Sequence, residues 1–320
     1  MTEETGAPAP KRAALICGLL SVGWLVGTLW SAQRSIAVTN GEVATAVAAV
    51  SLPSAVSAGL VAGLGVGLIA LVTLHRFAVA GRRFAVAIGA GLFTGIASAL
   101  VIVLVSDGSV SQQVVAAALA AATTLGGGLA AVSHRRVVCA QIAATLAVFA
   151  AAAGLSLLQG PLLAEFGGDG DLGARTEAIM WFSIGTAVLC GLAAGLVGLA
   201  MLGRKRGPWL PYLLAGAAPG LLLLASEAMV RFGGVQLLDR ARSISPADRV
   251  LQDWLDGTRL NHALVVLFLG AITAMIGYGR ALGSPPDQVV SRTPVGKQAT
   301  KEQNAPATVD AAGSAPTSAG

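Results

Sequence analysis

Few side chains in this sequence could do chemistry, and the first of them is an acid inside an apolar stretch. Glu227 is the main ionisable group at the depth where a helix would cross a membrane. An acid there is expensive and is read first as a functional group that binds substrate or a proton. At about 1.5 Å per residue it lies about 27 Å along its helix from Trp209, near one interface. Arg231 follows one turn later, so an interfacial ion pair is the plainer reading. Pro219 sits two turns before Glu227 and frees the carbonyl of Ala215. Gly216 and Gly220 flank it, so this helix is expected to bend or break, as helices lining transporter sites do.

The remaining candidates are weaker. Near-neutral titration would make His262 a pH-sensitive group, and with Asn261 it opens the last apolar stretch. Gln112 and Gln113 open another at the same level, and for all of these an interfacial polar anchor is the simpler role. Cys17, Cys139 and Cys190 all fall in apolar stretches, which points to small buried groups and not to a disulfide framework. Cys139 stands five residues from His134, which is no zinc spacing. The acidic run Gly167, Gly168, Asp169, Gly170 and Asp171 lacks the full ligand spacing of a calcium loop. Asp253 and Asp256 could hold a cation with a diphosphate, but they also fit the wet face of a helix. No nucleophile elbow, HExxH, phosphate loop or dinucleotide fingerprint occurs. The expectation is a non-enzyme with no cofactor and no metal.

The elements that position these residues follow from composition. Only 12% of the 320 residues are charged and 55% are apolar. Mean hydropathy is +0.75. Ala and Gly fill 62 and 41 positions. A soluble surface needs about twice that charge, which excludes an ordinary soluble domain and a basic nucleic-acid reader. Eight uncharged runs are each long enough to cross about 30 Å of hydrocarbon. They predict spans near 13–31, 53–74, 84–105, 113–132, 137–158, 178–202, 209–230 and 261–279. Lipid offers open backbone no partner, so the spans must be helices, and the fold class is an all-α polytopic transmembrane bundle. The first span follows Lys11 and Arg12 as a signal peptide would. Its length, and Trp30 two residues before Ala32, favour a retained helix.

Alternating the connections gives one side 14 of the 21 basic residues. The short turns containing Arg76, Arg82 and Arg83, then Arg135 and Arg136, then Arg204, Lys205 and Arg206, all fall on that side. That places both termini in the cytoplasm. The high pI of 9.6 comes from these turns and implies contact with anionic lipid headgroups, with no nucleic-acid partner. Residues 1–12 and 281–320 read as disordered cytoplasmic ends around a 13–280 membrane domain.

Glycines recur at four-residue spacing: Gly59, Gly63 and Gly67, then Gly91 and Gly95, Gly191 and Gly195, Gly216 and Gly220. Such stripes let helices approach closely, within the bundle or across a homodimer at Gly59–Gly67. Spans two and three, four and five, and six and seven form hairpins that could be repeats. In the last outer loop, Ser245 and Pro246 start a short amphipathic helix with Leu251, Trp254 and Leu255 on its apolar face. That helix lies in the interface, covers the bundle mouth or docks a partner.

Two functions are expected to compete. One is a permease-like module for a neutral or lipidic solute, with Glu227 as the coupling or binding group and Pro219 at the moving element. The other is a membrane scaffold or accessory subunit of a cell-envelope complex, with a protein partner or a second copy. The composition and the absence of N-glycosylation sites suit a bacterial inner membrane.

Overall fold

A computed structural model describes residues 9–37, 42–74, 80–105, 110–165, 172–203, 208–233 and 246–283. These residues form α1 (Ala9–Ala37), α2 (Glu42–Thr73), α3 (Ala80–Val105), α4 (Val110–Val132) and α5 (Arg135–Leu157). A short α6 (Gln159–Glu165) precedes α7 (Leu172–Leu202), α8 (Leu210–Gly233) and α9 (Pro246–Gly283). All but α6 are long and apolar enough to cross a membrane, which gives the eight spans the uncharged runs predict. No strand occurs among the described residues. The acidic loop at 167–171, Ser245 and the tail from 284 lie outside them.

The helices outrun their apolar cores. α2 begins at Glu42, and Pro53, expected at the edge of a span, lies inside it. The segment expected as a separate amphipathic helix is the start of α9, which runs unbroken for 38 residues. Asn261 and His262 therefore lie about four turns inside a helix and do not open one. Nothing between 256 and 261 stops a helix except Gly257, which costs only about 1 kcal/mol.

α2 is the axis of the bundle. Its span is 83% buried, against 22% for those of α3 and α9. Leu52, Val56, Leu60, Leu64 and Leu68 of α2 pack in one core with Val138 and Ile142 of α5 and Leu222 and Val230 of α8. α4 lies between α2 and α3. Its consecutive glycines serve both neighbours, because adjacent helical positions diverge by about 100°. A Cβ at Gly126 would meet the Leu60 carbonyl of α2, and one at Gly127 the Ala87 carbonyl of α3. α9 is held between α7 and α8 in the same way, with Gly270 against Gly216 and Ala194.

Of the three predicted hairpins, α2 packs on α3 and α7 on α8, whereas α4 and α5 do not form a packed pair. α4 packs on α2 and α3, whereas its chain neighbour α5 packs on α7, α8, α1 and α2. The recurring unit is four helices. α1 packs on α2, and α2, α3 and α4 pack together; α5 packs on α7, and α7, α8 and α9 pack together. Each unit carries two basic residues in the first turn of its first helix, Lys11-Arg12 and Arg135-Arg136. Each carries a similar glycine run in its second long helix, Gly59-Leu-Val-Ala-Gly63-Leu and Gly191-Leu-Ala-Ala-Gly195-Leu.

Exposed tryptophans mark two levels. Trp30, Trp181 and Trp254 stand at the end of α1 and the starts of α7 and α9; Trp209 stands at the start of α8, toward the other end of the bundle. Indoles favour the headgroup depth of a bilayer.

Candidate functional site

Of the residues singled out in the sequence, Glu227, Arg231 and Asp256 gather on α8 and α9 at the end of the bundle marked by Trp30, Trp181 and Trp254. α8 brings Glu227, which is 5% exposed; among the described residues it is the charged group the helices bury most completely. Arg231 Nε donates to Glu227 Oε1 at 2.9 Å, one turn on, so the expected ion pair is present. Arg231 keeps much of its surface in the open, so the pair is wet on one side and closed on the other.

α9 adds a second arginine, Arg259, whose partner across the bundle no local spacing announces. Arg259 Nη2 donates to the Val50 carbonyl of α2 at 2.9 Å, and Nη1 lies 4.0 Å from Asp256 Oδ1. Glu227 also acts on Arg259 electrostatically. The four side chains carry two positive and two negative charges, so the cluster is neutral as a whole. The Val50 carbonyl lies in the turn before Pro53. Pro53 has no amide hydrogen for the Ala49 carbonyl, and its ring crowds the turn behind it. Asp256 thus sits beside a cation, and the side chain of Asp253 falls outside the described residues.

Pro219 does not break its helix. α8 is continuous from Leu210 to Gly233 with Pro219 buried inside. Neighbouring packing holds it: Gly216 lies on Gly270 and Ala274 of α9, and Gly220 on the backbone of Leu267. The glycine stripes all face inward. Gly59, Gly63 and Gly67 lie on α4 at Leu119, Thr123 and Gly127; Gly91 and Gly95 meet the same helix at Thr123, Gly127 and Ala120. Gly191 and Gly195 lie on Leu269 and Thr273 of α9. The Gly59–Gly67 face is therefore covered by the chain itself and is not free for a homodimer.

His262 is half-buried three residues beyond Arg259, and among the described residues no hydrogen bond joins it to Glu227. Asn261 is exposed. Gln112 is half-buried and Gln113 exposed at the start of α4. Trp254 is exposed; the side chains of Leu251 and Leu255 lie outside the described residues.

At the opposite end the structure shows contacts that spacing did not suggest. Arg135 Nη2 donates to the Leu71 carbonyl of α2 at 3.1 Å. The last carbonyls of a helix have no partner in their own helix, and Arg135 supplies one. Cys17 Sγ faces the Cys139 carbonyl at 3.9 Å across α1 and α5, and Cys190 Sγ faces the Val148 carbonyl at 3.7 Å. All three thiols are buried, as their apolar surroundings predict. Trp24 stacks on Phe149 across the same α1–α5 seam, with centroids 5.7 Å apart. Adjacent charges gave one usable signal for Arg135: an arginine at the first position of a helix, a single short turn from another span, is within reach of that bundle end.

Comparison of the chain with protein-family models, with curated proteins and with solved structures finds no match in any of the three.

Proposed function

We propose that this polytopic membrane protein is a permease-like module that moves a neutral or lipidic solute across a bacterial inner membrane, with no enzymatic step and with anionic lipid at its basic turns. The observation that carries this reading is Glu227, the most deeply buried charged group among the described residues, held by Arg231 and within the electrostatic influence of Arg259. A stable fold has no need of such a group: replacing buried ion pairs with apolar residues often stabilises a protein. Its helix also carries Pro219 and rests on α9 through glycines, which present few side-chain knobs to resist sliding. The charge-balanced cluster suits a solute without net charge.

A second reading has its own support. α9 extends ten residues beyond the start of its apolar span at Asp256, with Trp254 exposed, and such a post could dock a protein partner in a scaffold or accessory subunit. Native mass spectrometry of the protein extracted in mild detergent separates the two. Transport predicts a bound lipid or small solute that is lost in Glu227→Gln while the variant still elutes as a single species. A stoichiometric protein partner, lost on deleting 246–256 and indifferent to Glu227→Gln, would overturn it in favour of the scaffold.

A further inference from the structure

α2 is the buried axis of the bundle, and the second four-helix unit grips it by a side chain at each end. Arg259 of α9 holds the Val50 carbonyl and Arg135 of α5 holds the Leu71 carbonyl. The two carbonyls are 21 residues apart, about 30 Å along the helix, which is the thickness of the hydrocarbon core. One clip therefore lies at each face of the membrane. Between them the units meet through apolar side chains, with Leu52, Val56 and Leu60 of α2 against α5 and α8 in a shared core. Contacts of that kind are non-directional and tolerate rearrangement better than a charged hydrogen bond does.

We propose that Arg259 and Arg135 are the two gate clips of this bundle, each closing one membrane face by tying the second unit to α2, and that the structure is the state with both clips shut. This rests on the transport reading and names how that pathway is regulated. One acceptor lies in the turn before Pro53 and the other in the last turn of α2, and a side-chain donor can leave either without breaking the body of the helix. The Arg259 clip has a competing partner at hand. Glu227 and Asp256 both act on it, so an occupant that engages Glu227 changes what holds Arg259. The Arg135 clip is bound to a neutral carbonyl in a basic turn.

The clips make a directional prediction that a merely structural role does not. Two buried reporters suffice: native Cys139, 7% exposed, beside the Arg135 clip, and a Ser226→Cys thiol beside Glu227 at the other face, where Ser226 is 3% exposed. Cys17 and Cys190 are replaced by alanine. The full chain is placed in lipid nanodiscs, where a membrane-impermeant maleimide reaches both faces, and labelling is read by peptide mass spectrometry. With both arginines present neither thiol reacts appreciably. Arg259→Gln speeds labelling at position 226 by about tenfold, the worth of one charged hydrogen bond, and leaves Cys139 slow. Arg135→Gln does the reverse. Arg259→Lys and Arg135→Lys, which keep a charged donor, restore much of the protection. Labelling of both thiols in either variant, as a loosened or unfolded bundle would give, overturns the proposal, and so does labelling of neither. The transport reading fails separately, on a protein partner and no bound solute, whatever the thiols do.

Discussion

At the scale of single residues, Glu227 and its arginines form an unequal set. Arg231 is about half exposed and loses little by returning to water; Glu227 is buried and cannot. Arg231→Ala strands the carboxylate, and among the described residues Arg259 is what remains to offset it. The expected loss of stability is about 1–3 kcal/mol, and it exceeds that of Glu227→Gln, which removes the charge and keeps the shape. Chemical unfolding of the two variants in detergent micelles checks the order; an equal or reversed order would mean that the carboxylate is solvated. The ion pair was legible in the sequence because a spacing of four on a helix brings two side chains together. Arg259 was not, because its partner Val50 is 209 residues away and nothing local announces it.

At the scale of elements, glycine positions decide which helix touches which. A methyl at Gly63 would land on the Thr123 carbonyl and one at Gly220 on the Leu267 backbone, whereas one at Gly185 meets nothing. Gly63→Ala and Gly220→Ala are expected to destabilise by about 1–3 kcal/mol each, because two backbones must separate. Gly185→Ala is expected to stay within about 0.5 kcal/mol of the parent. Melting temperatures in one detergent test this; equal effects at all three positions would contradict the close approach. The four-residue stripes were legible as packing faces, and their partners were not. Gly126 and Gly127 escaped the pattern because they are consecutive and face two helices at once. The hairpin repeat misled because α4 and α5 share a short turn but pack apart. The span at α9 was legible and its start was not, since the polar residues at 246–256 satisfy a helix without being apolar. A further check lies at the α1–α5 seam. Mild oxidation of membranes is expected to cross-link Cys17 to Cys139 and to leave Cys190 free, as read by non-reducing peptide mapping; a Cys190 adduct with either would contradict the packing.

For the molecule as a whole, eight long apolar helices were readable from charge alone, since a bilayer tolerates so few charged side chains within a span. The arrangement in two four-helix units was not, because Ala and Gly repeat everywhere and only the packing order tells the copies apart. Four helices per unit is an even number, so both units enter the membrane from the same side, and their basic starts at Lys11-Arg12 and Arg135-Arg136 share a face. The clips, the acid cluster and the tryptophan levels all depend on that threading. The direct test introduces single cysteines at three exposed positions, Gly81→Cys, His134→Cys and Gly257→Cys, and labels intact cells with an impermeant maleimide before and after lysis. The account predicts that position 257 reacts in intact cells and that positions 81 and 134 react only after lysis; reaction of 81 and 134 from opposite faces, or of 257 from the face they share, would contradict it.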